Sequence, residues 1–305
     1  MLLCQNGEAQ RRHKTMKNYN FGIEIEMTGL TRSKAARVLA DYFGTSTNYD
    51  NTVSDTQGRK WKICYDGSIT TSGGEAVELV SPICTYQDIE TIQEIVRLLK
   101  GAGAKTNSSC GIHIHVNGAD HTAASLRNIS NIMVAKEDLL VEALAVKANR
   151  ERYCKKADED FIAKINKRIP RSKQEFMNRW YEGHSQSRTQ NYHPSRYRIL
   201  NIHSMTTKGT VEFRCFNSTL HAGKIKAYIQ LCLAINHQAI TQKFATPRKS
   251  KPQSKKFSMR VWMIRMGMNG AEFKTARTHL LANLSGDTAF ATGRPTATQN
   301  NEEVA

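Results

Sequence analysis

The sequence predicts an α+β fold, and two patterns carry that prediction. Short runs alternate apolar and ionisable residues with period two, the mark of strands with one buried and one polar face. Between them lie longer runs with apolar residues at helical spacing. Strands of this antiparallel type mixed with helices favour α+β over a doubly wound parallel sheet.

The elements follow in chain order. Residues 21–27 read Phe-Gly-Ile-Glu-Ile-Glu-Met, a half-buried strand. Residues 33–43 carry Ala36, Leu39, Ala40 and Phe43 at helical spacing. Tyr65-Asp66-Gly67-Ser68 is a turn, because Asp and Gly both favour tight reversals. Residues 73–82 read Gly-Gly-Glu-Ala-Val-Glu-Leu-Val-Ser-Pro, an apolar strand interrupted by Glu78 and stopped by Ser81-Pro82. Residues 86–100 form an amphipathic helix through Ile89, Ile92, Ile95, Val96 and Leu99, ended by Gly101 and Gly103. Residues 111–116 read Gly-Ile-His-Ile-His-Val, and residues 122–147 suit a longer helix through Leu126, Ile129, Met133, Leu140 and Leu144.

The basic stretch 147–173 reads as helical with a break at Pro170, and could be a lid over an anionic ligand or simply a solvated face. Residues 195–202 are predicted as a strand on which Arg196 and Arg198 share a face. Residues 210–216 read Thr-Val-Glu-Phe-Arg-Cys-Phe, and residues 224–240 form a largely apolar core helix. The division is therefore an N-terminal extension 1–19, a main domain 20–244, a basic linker 245–256, a small helical appendage 257–284 and a disordered tail 285–305.

The polar strand faces point to a site. Glu24 and Glu26 share one face, as do His113 and His115, and as do Glu212 and Arg214. A solvated face would account for Glu-x-Glu or Glu-x-Arg alone. His-x-His is an unusual choice for such a face, and paired carboxylates repel unless a cation or basic group sits between them. Glu78 likewise is costly to bury without a partner, a metal or solvent.

These motifs, in this order from about Asn20 to Ala239, resemble the amidoligase family, related to glutamine synthetase and glutamate–cysteine ligase. Phe-Gly-Ile-Glu-Ile-Glu, Asp-Gly-Ser with Glu-Leu-Val-Ser-Pro, Gly-Ile-His-Ile-His-Val, Arg-Tyr-Arg-Ile-Leu-Asn and Gly-Thr-Val-Glu-Phe-Arg carry the resemblance. It implies a curved, mainly antiparallel sheet with flanking helices, as in a glutamine synthetase-like catalytic domain. It also implies ATP-dependent joining of a carboxylate to an amine. Such chemistry needs Mg²⁺ or Mn²⁺ among carboxylates and phosphate oxygens, so Glu24, Glu26, Glu78 and Glu212 are the metal candidates. By resemblance His113 joins a second metal, and His115 faces nucleotide or substrate.

Arg214 projects to the side of Glu212 and suits bidentate phosphate contact. Arg196 and Arg198 are further phosphate or carboxylate contacts, and Asn201 would orient a ligand. Asp66 is a candidate base for the amine, though a hairpin turn alone explains it equally well. Glu24, Glu26, Asp66 and Arg214 are thus the catalytic candidates, and nothing in the chain names the acid or the amine.

Composition bounds the rest. The chain has 305 residues, formal charge +17 and seven cysteines without a Cys-x-x-Cys pair. That argues against a disulfide framework or zinc knuckle and for a reducing, cytoplasmic setting, with Cys110 and Cys215 as packing residues. No apolar run suits a membrane span, and the start lacks a signal-peptide core. Two rivals stand beside the ligase: a hydrolase with Zn²⁺ on His113 and His115, and a basic nucleic-acid-binding protein. Against nucleic acid, the polar strand faces carry Glu24, Glu26, Glu78 and Glu212, which repel phosphates unless metal bridges them. Sites shared between subunits of an oligomer are common among glutamine synthetase-like enzymes, so that arrangement is open.

Overall fold

The computed structural model describes residues 14–150 and 152–292. Seven strands form one open sheet: β1 (Phe21–Met27), β2 (Thr52–Ser54), β3 (Lys60–Cys64), β4 (Val77–Val80), β5 (Gly111–Asn117), β6 (Leu200–Asn201) and β7 (Thr210–Asn217). Their order is β2-β3-β4-β1-β5-β7-β6. Every pairing between them is antiparallel, so the α+β expectation holds. The N-terminal strand therefore lies in the interior of the sheet, between β4 and β5.

The period-two pattern sorts the faces as physics requires. Phe21, Ile23, Ile25 and Met27 of β1, Ile112, Ile114 and Val116 of β5, and Val211 and Phe213 of β7 are all buried in one continuous apolar core. Helices close over that face: α1 (Arg32–Phe43), α2 (Asp88–Gly101), α3 (Ala123–Ala143) and α7 (Ala222–Thr241). The last is apolar nearly all round because it is covered on several sides, by β5, α2 and α3. Residues before β4 are held to the β1–α1 turn by hydrogen bonds from Gly29 N–H to the Gly73 carbonyl and from Glu75 N–H to the Leu30 carbonyl. Gly74 between them has φ +75°, and a Cβ there would come within 2.8 Å of the Leu30 nitrogen.

Helix boundaries follow their caps. Thr122 and Ser125 form a capping box at the start of α3. That helix stops at Ala143 rather than running on to residue 147, and Ala145 lies at φ +47°. The basic stretch is not one helix broken at Pro170. It is a 3-10 turn (Ala148–Arg150), then α4 (Glu159–Lys167) capped by Asp158, then α5 (Lys173–Trp180) capped by Ser172. Nor is 195–202 a strand: Pro194 starts a 3-10 turn through Arg196, and only Leu200–Asn201 pair as β6. Arg196 and Arg198 consequently share no strand face.

After the short α6 (Ser204–Thr207), β7 carries a bulge. Ile112 pairs with Phe216 and Ile114 with Phe213, so Arg214 and Cys215 together oppose His113. Strict alternation would put Phe216 on the polar face. The extra residue returns it to the core, where it stacks on Tyr228 of α7 at 4.5 Å between ring centroids.

The C-terminal segment is helical, α8 (Lys255–Arg265) and α9 (Lys274–Leu281), and α9 packs on α7. Met259, Trp262, Phe273 and Leu280 join the main core instead of forming a separate one. The expected tail reaches Thr292 within the description; its remainder, 293–305, and residues 1–13 of the expected extension lie outside the described residues. No described helix is long and apolar enough to cross a membrane.

Candidate active site

The polar face of β4, β1, β5, β7 and β6 floors a cavity of about 710 Å³. Glu24, Glu26, Asp66, Glu78, His113, Arg196, Asn201, Glu212 and Arg214 all line it. Register explains the convergence. Glu24 faces His113 across β1–β5, Glu26 faces Glu78 across β1–β4, and His115 faces Glu212, which faces Asn201.

His113 is the hub. Its Nδ1 lies 3.2 Å from Glu24 Oε2 and 3.8 Å from Glu212 Oε1, and its Nε2 lies 3.7 Å from Glu26 Oε1. Two donor sets share this ring, Glu24–His113–Glu212 and Glu26–Glu78–His113. A neutral imidazole has one lone pair, so were a cation bound, His113 would ligate it in one set and donate a hydrogen bond into the other.

The two sets differ in charge. Glu24 accepts a hydrogen bond from Lys208 Nζ at 2.7 Å. Burial opposes its ionisation, but hydrogen bonds to His113 and His115 outweigh that and hold its carboxyl well below the usual range. Glu212 is buried too, yet Arg214 and the two imidazoles keep it down at about 2. Arg214 Nη1 bonds Glu212 Oε1, and Asn201 Nδ2 donates to Oε2 at 2.6 Å.

On the other side Glu78 is pushed up to about 9, by burial first and then by Glu24, Asp66 and Glu26. A carboxylate set that lacks positive charge fits a divalent cation; at the other set, beside Glu212, buried Asn201 Oδ1 is an unpartnered acceptor. The donor chemistry therefore suits a hard metal ion, and the Glu26–Glu78–His113 set is the more charge-deficient of the two.

His115 stands slightly apart. Its Nδ1 lies 2.9 Å from Thr210 Oγ1, and its Nε2 lies 3.3 Å from Glu24 Oε1 and 3.9 Å from Glu212 Oε1. It lines a second, neighbouring groove of about 390 Å³ with Phe21, Ile23, Pro82, Ile83 and Lys208. Asp66 sits in the expected turn, accepting from the Ser68 N–H at 2.7 Å.

Arg196 reaches the cavity from its 3-10 turn, its guanidinium over Tyr192 and Tyr197 and bonded to the Asn191 carbonyl. Arg198 is not brought into the cavity. It pairs with Asp158 at 2.6 Å and donates to the Lys156 carbonyl. The thiols of Cys110 and Cys215 are buried and pushed up by that burial, as packing residues should be.

Two cationic residues that line the cavity were not singled out by the sequence. Lys208 continues the parity of Glu212 backwards through Thr210, so extending the period by two steps would have found it. Arg150 was read only as one of the basic residues of the stretch 147–173, a lid or a solvated face, and no local pattern distinguishes it from its neighbours.

The site is thus carboxylate, imidazole and guanidinium groups presented into one cavity by an open antiparallel sheet. The chain matches the family model described as "Putative amidoligase enzyme" over residues 17–236, and it belongs to that family. Among solved structures, a bifunctional glutathione synthetase from Pasteurella multocida is similar at 12% identity and a TM-score of 0.39. That match covers 92% of this chain and 48% of the synthetase chain, so this chain spans about half its length. No curated protein sequence matches it.

Proposed function

We propose that the protein is an ATP-dependent carboxylate–amine ligase acting through an acyl phosphate. The observation that carries this reading is the cavity itself, where one charge-deficient carboxylate set lies beside a set already balanced by Arg214 and Lys208. A carboxylate oxygen of the acid attacks the γ-phosphorus and ADP leaves. The amine nitrogen then attacks the acyl carbon, phosphate leaves and the nitrogen loses a proton. Both steps are governed by positioning and charge neutralisation.

Glu24, Glu26, Glu78, Glu212 and His113 would hold Mg²⁺ or Mn²⁺, which when bound neutralises phosphate oxygens. Arg214 retains guanidinium N–H groups beyond its bond to Glu212 for the transferred phosphoryl group, and Arg196 reaches the same space. Asn201 orients Glu212. Asp66, on the cavity rim, is the candidate acceptor of the amine proton, and His115 faces the nucleotide from the second groove. The reading includes cytoplasmic residence; it requires neither nucleic acid nor a second copy of the chain.

Calorimetry with a non-hydrolysable ATP analogue, with and without Mg²⁺, tests it on the wild type and Glu26→Gln. Magnesium-dependent binding that Glu26→Gln abolishes is the expected result. Absence of nucleotide binding by folded protein under any metal condition would overturn the ligase, leaving a metal-dependent hydrolase or a basic nucleic-acid binder.

A further inference from the structure

Arg150 is 2% exposed, yet it lines the cavity. Its single guanidinium hydrogen bond among the described residues is a long one, 3.4 Å from Nη2 to the Arg214 carbonyl, and its Nε has no partner. No described carboxylate lies within ion-pair distance of it. The guanidinium rests on Gly111: a Cβ there would come within 2.2 Å of Nη2 and 2.6 Å of Cζ. The same glycine donates its N–H to Glu26 Oε2 at 2.6 Å. A buried, unpaired guanidinium is costly to retain, and planar N–H groups facing a cavity are suited to an oxyanion.

Position decides which oxyanion. Arg150 lies at the Glu26 end of the cavity, over the start of β5. Lys208 lies at the Glu24 end, where the second groove opens with its apolar lining of Phe21, Ile23, Pro82 and Ile83. An apolar groove suits a nucleotide base, and Lys208 beside it suits the phosphates. The opposite end is left for the acid.

Resting on the ligase reading, we infer that Arg150 receives a second carboxylate of the acid substrate. The substrate class is thus a dicarboxylic acid or acidic amino acid, with one carboxylate at the metal-binding carboxylates and the other on Arg150. The bidentate fork fixes which carboxylate is presented for phosphorylation.

Glutarate is the probe, titrated by calorimetry into wild type, Arg150→Met and Gly111→Ala, alongside the ATP analogue with Mg²⁺. Gly111→Ala keeps the arginine but displaces its guanidinium, so it stands in should Arg150→Met fail to fold. Glutarate binding should weaken at least about tenfold in each folded variant, the loss of one charge-assisted pair, with analogue binding within about threefold. Wild type that binds no glutarate, or variants that bind it normally, would overturn the inference. Weakened analogue binding with glutarate unaffected would make Arg150 a phosphate contact instead. If wild type binds glutarate but no nucleotide, the ligase reading fails while the carboxylate receptor is still judged by the variants.

Discussion

Glu78 faces Glu26 directly across the β1–β4 ladder, and no described lysine or arginine lies within ion-pair distance of either carboxylate. Burial above all, and then the neighbouring acids Glu24, Asp66 and Glu26, push Glu78 up to about 9. Loading a cation must expel the Glu78 proton at neutral pH. Calorimetry of Mn²⁺ binding in buffers of different ionisation enthalpy should register that release, with affinity rising from pH 6 toward 9. Glu78→Gln should abolish it.

The same substitution should stabilise the metal-free protein. A carboxyl whose folded pKa is raised costs stability once pH exceeds its unfolded value of 4.5, and the cost grows until pH reaches about 9. Glu78→Gln removes the ionisable group, so at pH 7 the gain should be about 1–3 kcal/mol, vanishing near pH 4. Urea titrations at the two pH values would read it, and a destabilised variant at pH 7 would contradict the assignment.

Glu212→Gln should behave oppositely. It leaves the buried Arg214 guanidinium without its carboxylate, a loss of about 3 kcal/mol or more. In the wild type that contribution is present above the unfolded pKa of 4.5 and disappears as pH falls toward about 2. Denaturation midpoints of the variant measure it. Glu26→Gln, with no such cation to orphan, is the cleaner probe of turnover.

His121 offers a pH test remote from the cavity. Buried between Ser125 and Asn236, it is pushed down to about 4, chiefly by burial. The unfolded chain takes up its proton near pH 6.5 and the folded chain near 4, so stability should fall across that window by about 3 kcal/mol. His121→Gln should flatten this part of the pH–stability curve.

Phe216→Ala tests the bulge. Removing the ring that stacks on Tyr228 should cost about 3–5 kcal/mol, the range for a buried aromatic, whereas an outward-facing Phe would cost far less.

Much of this was legible in the chain. Alternation placed Glu24, Glu26, His113, Glu212 and Arg214 on polar faces because a strand's period is fixed by backbone geometry. It failed where the backbone departs from that period. The β7 bulge moves Phe216 to the core, and the proline-started turn at Pro194 separates Arg196 from Arg198, which a true strand would have paired. Helix starts with strong caps, such as Thr122, were readable; the end of α3 was not, because apolar residues continue past Ala143. Arg150 was legible only as part of a basic stretch, because its particular place rests on Gly111, a contact no local window contains.

The interior position of β1 has a consequence for synthesis. The strand, carrying Glu24 and Glu26, precedes both its neighbours in the chain, β4 ending at Val80 and β5 at Asn117. Until β5 leaves the ribosome, β1 keeps one edge open, and its apolar face still lacks α3 and α7. A nascent chain stalled before Asn117 should therefore be a client for chaperones that bind extended apolar segments. Release from them would coincide with the antiparallel closure that first brings Glu24 to His113.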